Sequence, residues 1–512
     1  MKRSDYFALF LSLLGVLASY WVTLRVFEAM PHIEDEMAYA WQAETFAQGD
    51  LTVPTPPSKN SFLVPFVVDY EGQRFGKYPP GWPAMLAVGV VFEARDWVNP
   101  LLAGLGLWLT YRLGKRLFGA PVGLLAAALT LTSPFFLMNS GSLLSHPFGL
   151  ALTGIFALSW LDAWDPQRRG GPALGRWLPT LTAALSLGLL VLTRPLTGVG
   201  VALPFSLHGL YLLFRSDGKT RLRLLLFCLI VLALAGLLFL WQYAVTGDPA
   251  LNPYTLWWEY DKIGFGPGVG RAENGHSLRL AEINTRFSLW SGIHDLFGWA
   301  SYSWVLLPIG LIPALKQRRG GLVLSLFFSL VLVYTAYWIG SWLFGPRYYY
   351  EGLYSLTLLT ALGFAFLAGW PTRPDEPWHS YRGWKKARPL GMTALLALLV
   401  SVNLVYYLPA RLAVMHGLYE VNRARLAPFE TPEAQALTPA LVVVEPVGKW
   451  SEYGALLDLQ TPYLDTPFVF VISLSPEIDA RLSDYFPERR LVYYYTDEPY
   501  TFYDAPRPGQ GD

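Results

Sequence analysis

Apolar runs long enough to be helices recur along most of the chain, near 6–27, 98–114, 120–138, 147–164, 177–193, 198–214, 222–243, 299–315, 321–342, 350–370 and 390–410. A spanning helix needs about 20 mainly apolar residues, so this pattern predicts about eleven membrane spans. Between the runs sit basic clusters: Lys115 and Arg116; Arg168, Arg169 and Arg176; Arg215, Lys219, Arg221 and Arg223; Lys316, Arg318 and Arg319; Arg382, Lys385, Lys386 and Arg388. Loops rich in Lys and Arg stay cytoplasmic. The apolar stretch 82–93 tests this topology, because a full span there would reverse every later loop. Its shortness predicts a half-buried or re-entrant helix over 79–94, an inside amino terminus and an odd number of spans. Three large segments then face outward: 28–80, 244–298 and everything after 411. The first run, 6–27, is too long for a cleaved signal and reads as a retained anchor.

From 411 the pattern changes to short β-branched or aromatic runs, Leu441 to Val444, Phe468 to Ile472 and Leu491 to Tyr495, with a helix predicted over Pro476 to Tyr485. The fold class read from these patterns is a mainly α, polytopic membrane protein with interfacial helices. Residues 1–410 form its membrane region, and 411–512 a small soluble α/β domain on the outer face.

Composition agrees: 53% of residues are hydrophobic and 15% charged, and a net charge of +1 gives no reason to expect nucleic acid. The single cysteine, Cys228, excludes an intramolecular disulfide.

The candidate chemistry lies in the outward segments. Glu34, Asp35 and Glu36 precede an amphipathic stretch, Met37 to Ala47, which predicts a helix lying in the interface. Asp35 reads equally as that helix's N-cap and as a general base at the bilayer surface. Lys77 stands just before Pro79, Pro80 and Gly81; paired prolines suit a first helical turn, whose free amides and a neighbouring cation would hold a phosphate. Arg347 follows Gly345 and Pro346 at a junction of two runs, placed to grip phosphate or to pair with Glu351. His146 and Arg194, each before a proline at an outer helix end, are further phosphate candidates. Glycines at 264, 266, 268 and 270 follow Asp261 without a preceding strand, which argues for a substrate-covering loop rather than a dinucleotide fingerprint. His276, His294 and Asp295 match no standard metal spacing.

Four of these motifs together resemble the bacterial GT-C glycosyltransferases of the protein mannosyltransferase and aminoarabinose transferase group (glycosyltransferase family 39-like): His32 to Tyr39, Lys77 to Gly81, Gly114 to Gly119 and Gly345 to Tyr348. The resemblance covers residues 1 to 410. It implies a polyprenyl-phosphate-linked sugar as donor, inversion at the anomeric carbon, and transfer on the extracytoplasmic face of a prokaryotic cytoplasmic (inner) membrane. It further implies Asp35 as the residue that activates the acceptor, Glu36 as its support and Lys77 as a ligand of the donor phosphate. His146 stands where aminoarabinose transferases carry an aspartate, which leaves open both a divalent metal ion and whether the acceptor is lipid, glycan or protein. Two other classes fit a polytopic chain, a transporter or flippase and a non-catalytic cell-envelope polysaccharide assembly protein. Charges gathered at span ends favour surface chemistry over transport.

Overall fold

The computed structural model describes residues 2–165, 174–317, 320–377, 387–446 and 448–507. The basic residues Arg168, Arg169, Arg318, Arg319, Arg382, Lys385 and Lys386, and the side chain of Arg176, lie outside that description.

Each predicted apolar run contains helix, although 299–315 is α-helical only from Leu307 and 321–342 only as far as Tyr334: α1 (Arg3–Arg25), α2 (Glu34–Ala47), α3 (Gly81–Val91) and α4 (Val98–Phe118) open the chain, and helices such as His146–Ala163, Leu174–Thr193, Pro195–Arg215 and Gly218–Thr246 continue it. Among the described residues five helices are long and apolar enough to cross a membrane, seven if each of two bent pairs is one span, against the expected eleven or so. Two of the apolar runs are broken locally. Ser133 and Pro134 break the run 120–138 into two helices bent by 61°, and the run 321–342 divides into Gly320–Leu324 and Leu326–Tyr334. A proline amide cannot donate to the preceding turn, so a helix bends where it enters. The stretch 82–93 is a helix of 11 residues, too short to span.

The helix Leu353–Ala368 is enclosed on nearly every side, whereas Gly218–Thr246 leaves most of its apolar surface uncovered. An apolar helix with its surface uncovered is stable only in lipid, where its backbone polar groups are satisfied internally. The chain is a multi-pass membrane protein.

The segment after α2 forms a small antiparallel sheet, ordered β1 (Val53–Pro54), β3 (Gln73–Gly76), β2 (Val67–Tyr70), and β3 leads straight into Lys77, Tyr78 and α3. Buried Arg74 ties this unit together, donating to Asp69 at 2.8 Å and to the Phe62 carbonyl at 2.8 Å. After residue 411 a second sheet has the order β5 (Phe468–Ile472), β4 (Ala440–Glu445), β6 (Arg490–Tyr495), β7 (Phe502–Tyr503), with β4 parallel to both β5 and β6. The helix expected between the last two runs is present, Pro476–Tyr485, N-capped by Ser475. Alternate β4 residues face two apolar clusters, Ala440, Val442 and Val444 on one side, Leu441 and Val443 on the other. The first outer loop completes both: Met30 enters one cluster and Phe62 the other, and Ile472 N–H donates to the Ser61 carbonyl at 2.8 Å. The second sheet thereby braces the loop that carries α2.

Candidate functional site

The acidic run begins α2, and its capping falls to a different residue from the one expected. The N-cap position is Ile33, whose side chain has no oxygen to offer. Glu36 reaches back instead: its Oε2 accepts from the His32 and Ile33 N–H groups at 2.8 and 3.3 Å, and its Oε1 accepts from Leu143 N–H at 2.7 Å. Burial pushes its carboxyl up to about 7, against the pull of those three donors. Glu36 lies off the cavity described below and fixes the start of α2 against the segment at Leu143, so the structure gives it a structural place rather than one beside Asp35 in the site.

With the cap filled by Glu36, Asp35 is free to face a cavity of about 610 Å³ that also exposes Lys77, Arg194 and Arg347. Tyr78 OH donates to Asp35 Oδ1 at 2.8 Å, and Arg347 Nη2 stands 3.5 Å from Oδ2. Burial alone would raise this carboxyl; the Arg347 guanidinium, the Tyr78 hydroxyl and Lys77 outweigh it and hold Asp35 below the usual carboxylate range. Asp35 is therefore ionised at neutral pH.

Lys77 does not reach out toward water. It is 3% exposed, with Nζ 3.6 Å from the Phe66 ring centroid and 4.6 Å from that of Trp258, and with the Tyr254 and Tyr78 rings at 5.1 and 5.4 Å. Such a cage favours a cation over a neutral amine. Burial nevertheless pulls the ammonium pKa down, opposed by Asp261, whose Oδ2 is 3.4 Å away. Asp261 is held in turn by Tyr337 OH at 3.0 Å and Trp338 Nε1 at 2.9 Å.

Arg347 does not pair with Glu351, as its spacing suggested. The 3₁₀ turn Arg347–Gly352 sends it to Asp35, while Glu351, wholly buried, lies 3.6 Å from Arg194. Arg194 is anchored by Thr197, Ser145 and Tyr334 at 3.1, 3.0 and 3.1 Å. Arg347 Nη1, by contrast, has no hydrogen-bond partner among the described residues, a buried donor available to a ligand oxygen. His146 is buried edge-on to Tyr350, ring centroids 5.9 Å apart, and does not line the cavity.

Among the described residues no three His, Cys, Asp or Glu side chains come together as a metal-ligand group. His276 and His294 bond backbone carbonyls, and Asp295 pairs with Arg411. The cavity's own carboxylates, Asp35 and Asp261, each already face a cation. That donor set does not fit a divalent ion.

Asp35, Lys77, Arg194 and Arg347, each singled out in the sequence, line one cavity, and the loop read as substrate-covering supplies residues of its far wall that the sequence did not single out. Asp261, Trp258, Arg271 and Trp338 all line it. The available signal was the lone acid before alternating glycines in an outward loop. Gly270 shows why that loop is glycine-rich: its φ is +74°, and a Cβ there would come 2.7 Å from the Trp338 Cβ.

No protein-family model and no curated protein sequence matches the chain. Solved structures do. ArnT from Cupriavidus metallidurans bound to undecaprenyl phosphate superposes with a TM-score of 0.58 at 16% identity, covering 97% of this chain and 90% of that one. The same protein in its apo state gives 0.55 at 16% identity, over 94% and 88%. The oligosaccharyltransferase AglB from Archaeoglobus fulgidus, in complex with an inhibitory peptide and a dolichol-phosphate, gives 0.51 at 13% identity, over 91% of this chain and 65% of that one. The chain has the fold of the GT-C membrane glycosyltransferases.

Proposed function

We propose that this protein moves a sugar from a polyprenyl-phosphate donor to an acceptor on the outer face of a prokaryotic cytoplasmic membrane. The observation that carries the reading is the convergence of an ionised carboxylate, Asp35, with the cations Lys77, Arg194 and Arg347 on one cavity. The lipid phosphates bound by ArnT and AglB support a donor of that class. In this reading residues 1–410 are the catalytic region, with about eleven segments in the membrane. Residues 411–512 form an outer domain that braces the loop bearing α2.

Asp35 takes the proton from an acceptor hydroxyl or amine as its oxygen or nitrogen bonds to the anomeric carbon from the face opposite the phosphate. The bond from that carbon to the phosphate oxygen breaks, the configuration inverts once, and polyprenyl phosphate leaves with one more negative charge. Lys77 and the unpartnered Nη1 of Arg347 act on that growing charge, so they stabilise the transition state more than the bound donor. The walls of Phe66, Tyr254 and Trp258 keep water from weakening those interactions.

The test is release of free polyprenyl phosphate by the purified chain in membrane extract, across a panel of polyprenyl-phosphate sugars, for the native protein and Asp35→Asn. Release that the substitution abolishes supports the reading and names the sugar. An absence of release from every donor, with both proteins folded, turns the reading toward transport or envelope assembly.

A further inference from the structure

The inner wall of the cavity is balanced charge for charge: Arg347 faces Asp35 at 3.5 Å, Lys77 faces Asp261 at 3.4 Å and Arg194 faces Glu351 at 3.6 Å. Its mouth is not balanced. Lys262 and Arg271 also line the cavity, both are exposed, and among the described residues neither has a carboxylate within ion-pair distance.

Arg271 differs from an ordinary surface arginine in being held. Its guanidinium carbon lies 4.9 Å from the Trp258 ring centroid, 5.5 Å from Trp338 and 5.8 Å from Tyr260, and Nε donates to Tyr260 OH at 2.9 Å. Gly270 permits this, because only a residue without Cβ lets the backbone press onto Trp338 just before Arg271. A side chain already fixed by three rings loses little further freedom on gripping a ligand. Its two terminal nitrogens carry no protein hydrogen bond among the described residues, leaving the planar fork that matches a phosphate or carboxylate. The Trp258 indole is shared: Lys77 Nζ lies 4.6 Å from its centroid and Arg271 4.9 Å, so the inner and outer cations stand one ring apart.

We propose that Arg271, with Lys262, forms a second anion subsite at the cavity mouth, one indole ring from Lys77, for a phosphate or carboxylate group beyond the phosphate held inside. The proposal deepens the transferase reading and rests on it for the lipid at the inner site. The second acidic group belongs either to the acceptor or to a donor linked through two phosphates.

Calorimetric titration of the full-length protein in detergent separates these sources. The probes are undecaprenyl phosphate, undecaprenyl diphosphate, and inorganic phosphate added at saturating undecaprenyl phosphate; the proteins are native, Arg271→Gln and Arg271→Lys. Because Arg271 is exposed, its variants keep the native unfolding midpoint. Arg271→Gln is expected to weaken the diphosphate lipid or the inorganic phosphate by about 10- to 100-fold while undecaprenyl phosphate changes by less than about threefold. Arg271→Lys, which keeps the charge without the fork, falls between. Loss confined to the diphosphate lipid assigns the subsite to the donor; loss of inorganic phosphate with equal affinity for both lipids assigns it to the acceptor. Unchanged binding of both probes in Arg271→Gln overturns the proposal. If undecaprenyl phosphate fails to bind any of the proteins, the donor reading falls, and inorganic phosphate alone still decides Arg271.

Discussion

The ion pairs of the cavity and those on the exposed surface after residue 411 use the same side chains under opposite conditions. Lys449 and Glu420 approach to 2.6 Å, and Arg490 and Asp504 to 2.7 Å, with all four side chains at least half exposed. Lys77 and Asp261 stand at 3.4 Å, with exposures of 3% and 1%. The shorter pairs matter less. In water the attraction is screened and two mobile side chains must be ordered, so such pairs contribute little. In the cavity wall neither charge has water to fall back on, so a missing partner is felt in full and an incoming anion has a strong effect. Distance alone ranks these pairs wrongly; burial ranks them by consequence.

Substitutions can break that ranking. Asp35→Asn removes the proposed base and is expected to cut transfer by about 10² to 10⁴. In the native protein the acid limb of the pH–rate profile should lie below 3.8, the ordinary aspartate value, because Asp35 is held ionised. The alkaline limb should lie below 10.5, because burial lowers Lys77. An acid limb near neutrality would point to another base. Arg347→Ala should follow at about 10² to 10³ in turnover, the usual effect of removing one donor from a developing oxyanion, and should also lower the unfolding midpoint, because it leaves Asp35 without its cation.

Glu36→Gln probes a buried carboxylate with no cation beside it. A folded-state value of about 7, above the ordinary 4.5, means the stability Glu36 contributes is full below 4.5 and gone once the pH has risen through about 7. The neutral amide lacks that loss. The variant should therefore gain on the native chain as pH rises across this interval, by about 1 kcal/mol per pH unit, read from unfolding in detergent. A difference that stays constant with pH would show that Glu36 is ionised throughout. Lys449→Ala sits at the bottom of the order, and neither transfer rate nor unfolding midpoint should move.

Much of this was legible in the chain. The helix-bearing runs were, because apolar length is a local property and lipid rewards it directly. So were the three strands and the helix Pro476–Tyr485 after residue 411, because unbroken β-branched and aromatic runs and a helical stretch between them are also local features. Asp35, Lys77, Arg194 and Arg347 were singled out by their places beside prolines or at helix ends, and all four line the cavity. Partnerships were another matter. Spacing offered Arg347 the carboxylate four residues on, and the tertiary fold gave it Asp35 instead. The three consecutive acids could not be told apart until the folded chain set Glu36 under the amides of His32, Ile33 and Leu143, leaving Asp35 turned to the cavity. Lys77 meets Asp261 across 184 positions, and His146, a candidate by position, was turned into the packed interior.

The sequence by itself thus determined which segments are helical and apolar, and which charged side chains stand at their ends, since both depend on neighbours within a turn or two. Only the tertiary structure decided which charges face one another, which lose water and which remain open to a ligand. Those outcomes depend on segments that meet in space, where burial sets the strength of every electrostatic contact.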